Sequence, residues 1–154
     1  MNKGFSIIEI IVSASIISIA VLSTIGVFQI YLKLSNKNVA QTQAALLVEE
    51  AAEGIQTIRD SGWNSTISTY TPDTVYYLSW NGTAYSLSTT PSYIDDSYQR
   101  EIVFSRIYRD DSSNISDSGT EDENTRKISI TVYLKNDTTT PLVYAENLLH
   151  NVYD

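Results

Sequence analysis

Two placements of carboxylates in this sequence could do chemistry. Glu9 stands at the head of residues 10–32, a run that carries no charge at all. Six others, Asp110, Asp111, Asp117, Glu121, Asp122 and Glu123, crowd into residues 110–124 among Ser, Asn and Gly. Oxygen donors at that density could ligate calcium, although their spacing is not that of an EF-hand. The same stretch read as a solvated charged loop needs no ligand. Glu9 is under stronger constraint, because an acid deep in an apolar helix costs several kcal/mol unless a cation answers it. Cutting the peptide bond after Gly4 would create such a cation, an α-amino group on Phe5. The amine and Glu9 are related as i and i+4 and so share a helix face. In an assembly, Glu9 of one subunit could instead reach the amine of its neighbour and fix the stagger between their helices.

Other chemistry has little to work with. The chain has no Cys, which removes disulfides, thiolate nucleophiles and Cys-bound zinc. His150 is its single imidazole, and no serine near it has a visible carboxylate relay, so an enzyme is not expected. Eighteen Asp and Glu outnumber ten Lys and Arg, for a net charge of −8. That balance opposes direct nucleic-acid binding, which needs positive charge against phosphate.

The elements that must position these groups follow from periodicity. At about 1.5 Å per residue, the uncharged run can cross a hydrocarbon layer of roughly 30 Å. Beyond it, Ala40, Ala44, Leu47, Val48, Ala51, Ile55 and Ile58 recur at helical spacing with Gln41, Gln43, Glu49, Glu50, Glu53 and Arg59 mainly between them. No proline occurs before Pro72, so one helix of about 80 Å is expected from Phe5 to Arg59, stopped at Asp60-Ser61-Gly62. Gly26 and Gly54 are its weak points, each costing about 1 kcal/mol relative to Ala. The period then switches to two. Strands are expected over residues 75–80, 83–87, 101–108, 127–135 and 142–148, with Asn81-Gly82 as a type I′ hairpin turn. The fold class is therefore α+β: a long N-terminal helix, apolar then amphipathic, packed on a small C-terminal antiparallel sheet. Its parts are residues 1–4, 5–33 as the apolar helix, 34–60 as the amphipathic helix and 61–154 as the sheet region.

Lys3, Gly4, Phe5, Glu9 and the apolar run 10–32 resemble, position by position, the class III signal of type IV pilins and type II secretion pseudopilins. The stretch from Leu46 to Arg59 followed by Trp63 looks similar to minor subunits of the PilV or pseudopilin-I type. The resemblance implies that residues 1–4 are a leader removed by a prepilin peptidase, which also N-methylates Phe5. It implies residence in the inner membrane as a single pass with the N-terminus inside, then extraction by an inner-membrane assembly platform into a cell-surface or periplasmic filament. Glu9 becomes the assembly residue and other pilin or pseudopilin subunits the partners. Two departures matter: Gly26 stands where major pilins often carry a helix-interrupting Pro, and the Cys pair of many Gram-negative pilins is missing.

Other readings remain open. A secretory signal peptide would end near Ser18-Ile19-Ala20, yet the apolar stretch continues twelve residues further. A signal-anchored surface domain for binding or adhesion explains the run and the wet region but gives Glu9 no purpose. Lys33 and Lys37, just past the span, run against the positive-inside tendency for an outward C-terminus. Trp63, Trp80 and the tyrosines could form a polysaccharide or host surface, or pack within the sheet. Asn64, Asn81, Asn114 and Asn136 head N-glycosylation patterns.

Overall fold

The structure, a computed structural model, describes residues 6–152. Its elements are helix α1 (Ile7–Asp60), a 3-10 turn at Ile67–Thr69, and strands β1 (Val75–Trp80), β2 (Tyr85–Ser88), β3 (Tyr93–Ile94), β4 (Tyr98–Arg109), β5 (Ile115–Ser116), β6 (Thr120–Leu134) and β7 (Val143–His150). The chain divides into two compact units, one up to Ala40 and one from Gln41 onward.

In the first unit the helix is bare. From Ile7 to Leu34 every large apolar side chain is at least 45% exposed. Four hydroxyls in this apolar surface, those of Ser15, Ser18, Ser23 and Thr24, donate to the carbonyls four residues back at 2.8–2.9 Å. Their polarity is thereby spent inside the helix, which suits a surface that must leave water. The helix is long and apolar enough to cross a membrane, and none of its most apolar stretch is buried.

In the second unit the remainder of α1 packs on the sheet. Ala44, Val48, Ala51, Gly54, Ile55 and Ile58 are its buried residues, the face that the helical period marks. Gly54 proves to be a contact point: a Cβ there would lie 2.8 Å from Leu78 Cδ2. The helix ends where expected, with the Gly62 amide bonded to the Arg59 carbonyl at 2.9 Å and Gly62 at φ +133°.

The sheet order is β2-β1-β4-β6-β7, all antiparallel, with β3 and β5 also paired to β4. Ile102 opposite Ile130 sets the register of the central pair. Tyr98, Ile102 and Phe104 on β4 and Ile128, Ile130 and Val132 on β6 join the helix in one core. Both central strands run longer than their apolar alternation foretold, because polar residues continue the ladder after the core ends. β3 and β5 are too short to register as periodic.

The first hairpin differs from expectation. Trp80 pairs with Tyr85, leaving a four-residue loop rather than a two-residue type I′ turn. Asn81 is the reason: its Oδ1 accepts the amides of Thr83 and Ala84, both at 2.9 Å, and this side-chain bond selects the wider loop. Only Gly82 of the pair takes positive φ, at +94°, whereas a type I′ turn needs it at both positions.

Candidate functional site

Glu9 lies in the first turn of α1, where its backbone amide bonds the Ser6 carbonyl at 3.0 Å. It shares a shallow recess with Ile10, Ser13, Ala14 and Ile17. Ser13 and Ala14 are small, whereas Ile10 and Ile17 on either side of them are large. Among the described residues no cation pairs with Glu9. A carboxylate at the N-terminal end also suits the helix dipole. Gly4 and Phe5, the expected processing residues, lie outside the described residues.

Of the six crowded carboxylates, Asp110, Glu121, Asp122 and Glu123 line one open pocket together with Arg109, and Asp111 and Asp117 do not. Asp110 Oδ1 accepts the amides of Ser112 and Asn114 at 2.8 and 2.9 Å, closing the turn after β4. These backbone bonds, with the Asn114 side chain, hold its pKa below the ordinary carboxylate value despite some desolvation. Asp111 and Asp117 are exposed. Glu121, Asp122 and Glu123 are strand residues of β6 rather than loop residues. Glu121 sits 3.4 Å from both Arg106 and Arg126. Asp122 accepts Arg109 Nε at 2.7 Å, and the Glu123 backbone carbonyl accepts the Trp63 indole at 3.2 Å. Arginines thus supply positive charge to Glu121 and Asp122. Among the described residues no group of three His, Cys, Asp or Glu could hold a metal ion.

Three features escaped sequence reasoning. The first is a chain of contacts ending on the lone histidine. Thr125 Oγ1 donates to Asp122 Oδ2 at 2.8 Å and stands 3.0 Å from His150 Nδ1. A carboxylate can only accept, so the hydroxyl proton points at Asp122 and Nδ1 of His150 must carry its own proton. Thr125 is therefore not activated by an imidazole base, and it is only 3% exposed. The arrangement pins β7 to β6, and the signal for it was long-range register, Thr125 opposite His150.

Arg100 is the second. It is 4% exposed, yet its Nη1 donates to the Leu47 carbonyl at 2.8 Å and to Glu50 at 3.1 Å, tying β4 to α1. Its Nε is buried without a hydrogen-bond partner among the described residues. Alternation with Ile102 and Phe104 could have flagged it as inward-facing. The third is a polar cluster on the opposite sheet face, where Gln99 Nε2 donates to Glu101 at 3.0 Å and to the Tyr77 hydroxyl at 3.2 Å. Burial, then the Glu101 charge, pushes the Tyr77 phenol up.

Among the aromatics, Trp63 belongs to the core, whereas Trp80 is 53% exposed with its ring tilted against Tyr85 at 4.8 Å. Asn64, Asn81, Asn114 and Asn136 are all exposed. Compared with known proteins, the chain matches no family model, no curated protein and no solved structure.

Proposed function

We propose that this chain is a structural subunit, of the minor kind, in a type IV pilus or a type II secretion or competence pseudopilus. The observation that carries the reading is Glu9, a carboxylate without a cationic partner among the described residues, exposed at the head of a bare apolar helix. The self-satisfied hydroxyls of that helix support it, as does the sheet carried on the helix's other end. In this reading the helix waits in the inner membrane, N-terminus inside. A prepilin peptidase cuts between Gly4 and Phe5 and methylates the new amine. The assembly platform then moves the subunit into a bundle, where Glu9 meets a neighbour's Phe5 amine and sets the register. The protein works by assembly and carries out no turnover.

N-terminal mass spectrometry of membrane-extracted protein tests this directly. The expected product lacks residues 1–4 and begins with N-methyl-phenylalanine. A chain still beginning with its encoded methionine refutes processing and leaves a signal-anchored binding domain as the better account.

A further inference from the structure

Charge is divided unevenly along the chain. Seventeen of the eighteen carboxylates lie beyond residue 40, while three of the five lysines lie before it. Two of those, Lys33 and Lys37, follow directly on the apolar run, on the side of the membrane where topology disfavours cations. Both are exposed, and neither has an ion pair among the described residues. The same is true of Glu49 and Glu53. Glu50, by contrast, is occupied by Arg100.

These four charges belong to two matching sets. Ile30, Lys33 and Lys37 stand at i, i+3 and i+7, and so do Leu46, Glu49 and Glu53, with the charges reversed. Each set falls on one helix face. Each is headed by a large apolar side chain left in the open, Ile30 at 69% and Leu46 at 59% exposure. Leu46 is the odd one, since its neighbours Ala44 and Val48 are buried in the core.

We propose that the chain docks on a second copy of itself through these two faces, Ile30, Lys33 and Lys37 of one copy meeting Leu46, Glu49 and Glu53 of the next. The two helices run parallel, offset by sixteen residues in sequence. The inference rests on the filament reading and adds to it a second register device, independent of Glu9. Because the two faces differ, the contact is heterologous, and every copy keeps one of each face for a further neighbour, giving an open row. The apolar pair excludes water beside the ion pairs, which strengthens them relative to exposed pairs. Lipid phosphate would answer the lysines too, but it leaves the matched glutamates and the open Leu46 without a purpose.

The absence of Cys makes the test direct. Two tagged full-length copies, one Ile30→Cys and one Leu46→Cys, are expressed together in the native cells and oxidised. A mixed disulfide-linked dimer is expected, at least about tenfold above two copies that both carry Ile30→Cys. Lys33→Glu with Lys37→Glu in the first copy should lower that yield about tenfold, and Glu49→Lys with Glu53→Lys in the second should restore it. Absence of the mixed dimer overturns the proposal. So does a loss on lysine reversal that the glutamate swap leaves unrestored, which assigns the lysines to lipid phosphate. The N-terminal mass of the same sample separates the two levels. A trimmed, methylated chain without the mixed dimer overturns the docking alone, and an untrimmed chain without it overturns the filament reading as well.

Discussion

Replacing Gly54 with alanine adds one methyl group where α1 meets the sheet. On an open helix this exchange stabilises by about 1 kcal/mol, because glycine gives up more backbone freedom on folding. Here the new Cβ would lie 2.8 Å from Leu78 Cδ2 and 3.2 Å from Tyr85 Cδ1. Leu78 is 3% exposed and has little room to retreat, and the Tyr85 ring already rests against Trp80. Overpacking of this sort costs about 1–3 kcal/mol, so the net change should run from near zero to about 2 kcal/mol destabilising. Urea unfolding of the full chain in detergent micelles, followed by the fluorescence of buried Trp63, measures it. Leu78→Val removes the crowded methyl, so in that background the alanine should recover its benefit. The cycle of four proteins should then show a coupling of about 1 kcal/mol or more. If Gly54→Ala alone stabilises the wild-type chain by the whole ~1 kcal/mol, the close-approach reasoning is refuted.

Other expectations can be checked in the same preparations. Glu9→Val should insert and be cleaved as the wild type is, yet be missing from sheared filaments by immunoblot; wild-type abundance there would end the register argument. Burial raises the Asp122 pKa, but hydrogen bonds from Arg109, Thr125 and the Asn124 amide outweigh it and hold the group below the usual carboxylate value. Its stabilisation is therefore present above the unfolded value near 3.9 and is lost as pH falls through the lower folded value. Urea midpoints at pH 7 and pH 3 should differ less for Asp122→Asn than for wild type. Gly119 sits at φ +138°, and a Cβ there would come 2.1 Å from the Arg109 carbonyl oxygen, which is backbone and cannot step aside. Gly119→Ala should cost upwards of about 1 kcal/mol and break the pairing of Arg109 with Thr120, visible as faster amide exchange at the start of β6.

Local pattern alone determined a good deal. The uncharged run 10–32, the helical recurrence from Ala40 to Ile58 and the alternation over residues 127–135 each speak through neighbours a few positions away, so each was readable without a fold. So was the isolation of Glu9, since a lone acid in such a run needs no partner to be conspicuous. What the tertiary structure decided depended on residues dozens of positions apart. Gly54 read as a weakness of the helix until Leu78 and Tyr85 arrived against it, while Gly26, with nothing within 4 Å, kept that character. Arg100 became an inward clamp only when β4 met Leu47 and Glu50. The crowded acids read as a single charged stretch because composition records charge and not partners. Antiparallel pairing brought Arg106, Arg109 and Arg126 to Glu121 and Asp122, and pairing depends on register between distant strands, which no short window of sequence contains.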